Sequence, residues 1–281
     1  MQTGLKIYEP DAQIKKGWFC LWQEMAAELV SSRQLIWRLF LRDFLAKYKQ
    51  AVLGILWAVI MPVLMVVLFV FLNRSGVLNI GETSVPYPVF ALLGISVWQL
   101  FATGLTAASN SIIQGGGMVV KINFAKEALV IASFAQAVFE FLVRLVLIAV
   151  VFTVYKTVPC WQALFFPFTL IPIILLTVGL GFIFSLLSAI MRDIPNIITL
   201  LTTFLLFATP VLYPLPASGL FARLTQFNPL AILVSGARDI VITGYISEPL
   251  LYILASIFSL IVFLICWQVF HLVEPRIAER V

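Results

Sequence analysis

Six apolar stretches, each about twenty residues long, constrain this chain more than any other feature. They run 51–72, 88–108, 128–154, 166–190, 197–213 and 249–271. A helix needs about 20 mostly apolar residues to cross the hydrocarbon of a bilayer. A backbone in hydrocarbon must satisfy its own polar groups, so such stretches are expected to fold as helices. Composition closes off the soluble alternative. The 281 residues are 62% hydrophobic and 11% charged, against about 45–50% and about 25% in an ordinary soluble domain. Too few charges remain for a polar skin, and far too many apolar groups for a disordered chain. The three cysteines, Cys20, Cys160 and Cys266, are scattered and make neither a disulfide framework nor a zinc motif.

Lysine and arginine outside these stretches fall unevenly. Lys6, Lys15, Lys16, Arg33, Arg38, Arg42, Lys47 and Lys49 precede the first stretch. Lys121, Lys126, Arg192, Arg276 and Arg280 lie on the same side of an alternating topology. Only Arg74, Lys156, Arg223 and Arg238 lie opposite. The positive-inside rule therefore places both termini in the cytoplasm. The net charge of +5 is explained by this asymmetry and needs no nucleic-acid partner. The N-terminal segment opens with mixed charge and does not read as a cleaved signal peptide.

Residues 1–50 form a cytoplasmic segment. Trp18, Leu21, Trp22, Met25 and Leu29 share one helical face. Ser31, with Gln34 three residues on, predicts a capping box that starts a second helix. There Ile36, Trp37, Phe40, Phe44 and Tyr48 line one side, while Arg33, Arg38, Arg42, Lys47 and Lys49 mainly take the others. This is the pattern of an amphipathic helix lying in the headgroup region, with membrane lipid as its partner. Residues 110–127 are expected to form a cytoplasmic loop bent at Gly115-Gly116-Gly117. No GxxxxGK[ST] sequence occurs, so those glycines are not a phosphate loop. Residues 214–248 face outward and are too apolar for a solvated loop. Broken by Pro214, Pro216, Gly219 and Asn228-Pro229, they predict short re-entrant helices. Residues 272–281 make a cytoplasmic tail.

Catalytic raw material is scarce. The lone histidine, His271, reads as an interfacial residue, and no HExxH or GxSxG sequence is present. Glu140 and Arg144 stand i,i+4 within the third stretch and are expected to pair, since an isolated charge there is costly. Neither a catalytic group nor a metal ligand set is expected. Aromatic side chains are abundant, and their flat apolar faces suit lipid, the membrane interfaces or sugar rings.

Several motifs, in order, resemble a known family. Arg42-Asp43, Tyr48-Lys49, Leu53-Gly54, Leu56-Trp57 and Pro62 are similar to the first-span approach of polysaccharide-exporting ABC transporters of the ABC-2 type. Val85-Pro86-Tyr87-Pro88, Leu92-Leu93-Gly94 with Trp98 and Phe101, Met191-Arg192-Asp193-Ile194, Thr209 to Pro214 and Phe227 to Leu230 follow in the family's order. The stretch Lys121 to Glu127 stands where the family has its coupling segment, although the usual proline after the phenylalanine is missing.

The resemblance implies an all-α inner-membrane protein with six transmembrane helices, an N-terminal interfacial helix and re-entrant helices between spans five and six. It implies a homodimer working with two separate ATP-binding cassette subunits. ATP and Mg then belong to those partners, and this chain is a transport subunit with no cofactor of its own. The cargo would be a lipid-linked polysaccharide, with O-antigen favoured. Capsular polysaccharide or teichoic acid, a drug or lipid, or a membrane enzyme acting on lipid-linked sugars are the alternatives. Carried onto this sequence, Lys121, Ile122, Asn123, Phe124, Lys126 and Glu127 would contact the ATPase. Trp57, Phe69, Phe204, Phe207 and Tyr213 would line the channel. Arg33, Trp37, Arg38, Arg42, Tyr48 and Lys49 would gather the lipid-linked end of the polymer.

Overall fold

The computed structural model describes residues 18–49, 53–75, 81, 83–118, 124–214 and 225–277. Among them all regular structure is helical. The first two helices among the described residues are α1 (Trp18–Ser31) and α2 (Arg33–Lys49). A short 3-10 turn, Gly54–Leu56, leads into α3 (Trp57–Arg74). Then follow α4 (Tyr87–Gly115), α5 (Glu127–Val154) and α6 (Phe166–Ile190). The last three are α7 (Ile194–Ala208), α8 (Pro229–Ile242) and α9 (Pro249–Ile277). Five of these helical segments are long and apolar enough to cross a membrane: Gly54–Arg74, Tyr87–Gly115, Glu127–Val154, Trp161–Ile190 and Pro249–Glu274. The chain is a multi-pass membrane protein.

The fifth apolar stretch differs from expectation. Its helix α7 has 15 residues and ends at Ala208 rather than Tyr213, which makes it about 22 Å long. Pro210 is the cause. The residue before a proline is pushed out of the helical region, and Thr209 is extended, at φ −112° and ψ 132°. The second stretch departs the other way. α4 continues to Gly115, so 110–115 is helix and not loop, and the chain turns only at Gly116 with φ 46°. The first of the expected caps also changes sense. Ser31 Oγ donates to the Glu28 carbonyl at 2.8 Å, closing α1 instead of opening α2.

α4 is the hub of the core. Its residues from Val89 to Trp98 are buried in an unbroken run, and α5, α6, α7 and α8 pack around it. Small residues let these backbones approach, as is usual between membrane helices. A Cβ on Gly181 of α6 would lie 2.6 Å from the Ala108 Cβ of α4. One on Gly179 would lie 2.7 Å from the Phe263 Cα of α9. α3 and α9 are peripheral, with long exposed apolar faces such as Met61, Leu64, Leu68 and Phe71 on α3.

α8 is a 14-residue helix buried almost all round, from Leu230 to Arg238. Asn228 ties it to the end of α7. Its Oδ1 accepts from Leu230 N at 3.0 Å, capping α8, while Nδ2 donates to Thr209 Oγ1 at 3.1 Å and to the Ala208 carbonyl. Replacing Asn228 with alanine should therefore cost about 1–2 kcal/mol, the upper range for a helix cap. An unchanged unfolding midpoint of the purified Asn228→Ala protein would contradict that.

Candidate functional site

A polar trough at the α2–α5 crossing

The C-terminal end of α2 crosses α5 where Phe44 meets Phe139 edge-on, ring centres 4.7 Å apart. That crossing delivers Lys47 and Tyr48 to Glu140. The Lys47 ammonium lies 2.5 Å from Glu140 Oε1, and the Tyr48 hydroxyl donates to the same oxygen at 2.9 Å. Arg144 Nη2 donates to Glu140 Oε2 at 3.1 Å. One carboxylate thus serves three donors. Burial, reinforced by the Glu140 charge, holds the Tyr48 phenol well above its usual range, so it stays a neutral donor.

Arg144 has a second task. Pro62 lacks an N–H, so it leaves the carbonyl of Ala58, four residues back, without its helical partner. Arg144 Nε donates to that carbonyl at 3.4 Å. Ala58 is in the first turn of α3. The Glu140–Arg144 pair therefore sits level with the beginning of the first span, although it lies well inside the third apolar stretch.

Two cavities meet at Lys47 and Thr103, which line both. One, about 380 Å³, is walled by Tyr48, Gly54, Trp57, Met61, Gln99, Glu140 and Arg144. The other, about 570 Å³, runs past Thr106, Asn110, Gln114, Gln136 and Thr202. Gln99, Thr103, Thr106, Asn110 and Gln114 recur at helical spacing, a polar stripe down one face of α4. Sequence reasoning missed it because five uncharged polar residues spread along an apolar stretch make no local motif. A hydropathy plot of the second span resolved by helix face would have found it.

The base of the coupling stretch

Lys121, Ile122 and Asn123 lie outside the described residues. Phe124 is half-buried and packs against the core. Lys126 and Glu127 were expected to meet a partner, but both are buried within this chain. Glu274 of α9 accepts from the Lys126 backbone N–H at 2.9 Å and from its ammonium at 3.2 Å, so a carboxylate from the last helix caps the start of α5. His271 Nδ1 bonds Glu127 Oε1 at 2.8 Å. His271 is thus a buried member of a cluster and not an interfacial side chain. The ligand-type atoms of Glu127, His271 and Glu274 lie within 4.8 Å of one another. Lys126 engages one oxygen of Glu274 and His271 one oxygen of Glu127, while Glu127 Oε2 is buried without a hydrogen-bond partner among the described residues; the bonds make a clasp between the 124–127 stretch and α9. α1 closes over the same end, with Trp22 edge-on to Trp267 at 5.6 Å.

The rim after α7 and the aromatic residues

Arg238, only 2% exposed, is no loop charge. Its Nη1 donates to the carbonyls of Pro210 and Val211 at 3.1 and 3.3 Å, and its guanidinium stacks 3.7 Å from the Phe90 ring centre. The Tyr87 hydroxyl donates to the Leu212 carbonyl at 3.0 Å. These bonds satisfy the backbone that Pro210 freed from α7.

Among the residues expected in a channel, Trp57, Phe204 and Phe207 are exposed, the last two on one face of α7. Phe69 packs against the core instead. Tyr213 is half-buried and donates to the Phe207 carbonyl at 2.7 Å. On α2, Arg33, Trp37, Arg38, Arg42 and Lys49 are exposed, with Arg42 Nε 2.7 Å from Asp43.

Comparison with known proteins

Residues 34–242 match the ABC-2 type transporter family. The chain is 26% identical over 244 residues to the O-antigen export system permease protein RfbA of Klebsiella pneumoniae, covering 85% of this chain and 91% of the relative. It is 26% identical over 223 residues to the RfbA permease of Myxococcus xanthus, covering 77% and 83%. It is 24% identical over 230 residues to the polysialic acid transport protein KpsM of Escherichia coli, covering 79% and 87%. The family match takes in α2 through α8, including the trough, the coupling stretch and the buried rim helix. The chain belongs to the ABC-2 type transporter family.

Proposed function

We propose that this chain is the membrane subunit of an ATP-driven exporter of a lipid-linked polysaccharide, with O-antigen as the favoured cargo. It carries no nucleotide chemistry of its own. Two copies form the pathway, and two separate ATPase subunits act from the cytoplasm on the 110–127 segment. Both termini are cytoplasmic and the membrane is the inner one. Six helices span it, α7 being completed by the pinned segment after it. Residues 214–248, α8 among them, form a re-entrant gate on the outer side.

The observation that carries this reading is the trough. It carries a polar stripe, has the rings of Tyr48 and Trp57 in its wall, and takes in Lys47 of the cationic α2. A polymer of sugars has polar edges and apolar ring faces, which suits a polar stripe flanked by aromatic rings. The likeness to export permeases along most of the chain supports the same reading.

Purification of the tagged protein from gently solubilised membranes, with ATPase activity assayed on the eluate, tests the assembly. A stoichiometric ATPase subunit is expected, and a solitary chain in several detergents would count against the proposal. Coupling is tested by replacing Lys121 and Phe124 with alanine while leaving the buried Lys126 in place. Polymer export in cells should fall at least tenfold while the protein still reaches the membrane. Unimpaired export in that double variant removes the segment from the coupling role.

A further inference from the structure

The geometry points to a divalent-cation site of zinc type, formed by Glu127, His271 and Glu274 where the start of α5 meets the end of α9. All three side chains are buried, and their ligand-type atoms lie within 4.8 Å of one another. Two of the oxygens are engaged, Glu127 Oε1 by His271 Nδ1 and Glu274 Oε1 by Lys126. Glu127 Oε2 is not. It is buried without a hydrogen-bond partner among the described residues, although its carboxyl group lies within hydrogen-bonding reach of the Glu274 carboxyl. Two buried carboxylates so placed repel each other unless a proton or a cation stands between them.

Charge favours the cation. With His271 neutral, Glu127 and Glu274 have only the Lys126 ammonium against them, which leaves one negative charge unbalanced. α1 adds to the excess, because its Glu24 and Glu28 also act on His271 through space. Among the described residues, the charged groups around the imidazole from α1, α5 and α9 are thus four carboxylates and one ammonium. Buried charge without a partner is costly, and coordinating a metal ion is one of its regular resolutions.

The donor set selects the ion. An imidazole nitrogen with carboxylate oxygens suits Zn²⁺, whereas Mg²⁺ and Ca²⁺ take oxygen ligands. Three protein ligands leave the fourth position of a tetrahedron open to water. Both bonds from Lys126 fall on Glu274 Oε1, so Glu274 keeps its hold on the start of α5 while Oε2 serves the metal. His271 coordinates through Nδ1 as the neutral ring, with its proton on Nε2. Any proton held between Nδ1 and Glu127 therefore moves to Nε2 or leaves the site, and zinc binding weakens as pH falls. The bound ion ties the 124–127 stretch to α9 more firmly than the hydrogen bonds alone. The site rests on this chain's own residues and not on the export reading.

Metal titration of the purified full-length protein in detergent decides this, with a purification tag that contains no histidine. The protein is stripped with a chelator and titrated with ZnCl₂. One zinc per chain is expected, with a raised unfolding midpoint that chelator reverses. Co²⁺ in its place should give a spectrum without the thiolate-to-metal band that a cysteine ligand would produce. His271 is the sole histidine, so the nitrogen NMR resonances of labelled histidine report on this site alone, and zinc should shift Nδ1 selectively. His271→Gln should weaken zinc binding by roughly 100-fold, the upper end of the cost of disturbing a metal ligand. Glu127→Gln and Glu274→Gln keep the side-chain shape and one acceptor oxygen. Each should weaken zinc by at least about tenfold, and they keep the test alive if His271→Gln does not fold. Failure of the stripped protein to take up zinc overturns the site and leaves a proton between the two carboxylates. Equal zinc binding in wild type, Glu127→Gln and Glu274→Gln also overturns it, because the ion then sits elsewhere. Every measurement is made on this chain alone, so failure of an ATPase subunit to copurify would defeat the export reading and leave these results intact.

Discussion

Replacing Glu140 with leucine should destabilise the protein by about 3–5 kcal/mol, the cost of leaving a buried charge without its partner. Arg144 is almost wholly enclosed and can neither move to water nor easily lose its proton. Tyr48 would lose the acceptor for its hydroxyl as well. Lys47, half exposed, can turn to solvent and adds little to the cost. Glu140→Gln should be milder, because an amide oxygen still accepts from Tyr48 and Lys47. The diagnostic is the double variant Glu140→Leu with Arg144→Met. Replacing both members of a buried pair by apolar groups is often close to neutral, so much of the lost stability should return. Unfolding midpoints of the wild type, Glu140→Leu, Arg144→Met and the double variant in one detergent form a double-mutant cycle. Additive losses would mean that the two side chains act independently.

The second large effect is expected at Gly94. A Cβ there would lie 2.2 Å from the Val211 carbonyl oxygen, a backbone atom that cannot rotate away. That oxygen also accepts from Arg238. Gly94→Ala must push the segment after α7 off α4, combining overpacking with loss of a hydrogen bond to a buried cation. The sum is about 3–5 kcal/mol. Gly116→Ala offers a contrast. A Cβ on Gly116 would come no nearer than 3.9 Å to the Ile113 carbonyl oxygen, so its substitution is opposed only by the backbone conformation at φ +46°. Monodisperse Gly94→Ala protein with a wild-type unfolding midpoint would show that the rim segment yields easily. The steric account would then be wrong.

The resemblance to ABC-2 exporters was legible from loose motifs taken in order. The reason for several of those motifs became clear only in three dimensions. Pro62 reads in the sequence as a helix kink, yet its consequence is the Ala58 carbonyl that Arg144 repairs. Leu92-Leu93-Gly94 reads as an apolar run, yet Gly94 is the seat of the Val211 carbonyl. Asn228-Pro229 reads as a break, yet Asn228 bonds both the end of α7 and the start of α8. Each is a contact between residues distant in the chain, which spacing alone does not encode.

What the sequence determined by itself was the class of fold. Apolar length forces helices across a bilayer, because a backbone in hydrocarbon must bond to itself. The i,i+4 spacing of Glu140 and Arg144 likewise set them on one face of one helix. Tertiary structure decided what those groups face. Lys126 and Glu127 were expected to face an ATPase partner and His271 the membrane interface; within this chain they form a buried clasp because the end of α9 meets the start of α5. Glu140 and Arg144 looked like a closed pair. Because α2 crosses α5 there, two further donors reach the carboxylate, and one arm of the arginine is left buried without a partner among the described residues. Local pattern fixes which face a residue takes, whereas the chemistry of that residue depends on which other helix arrives.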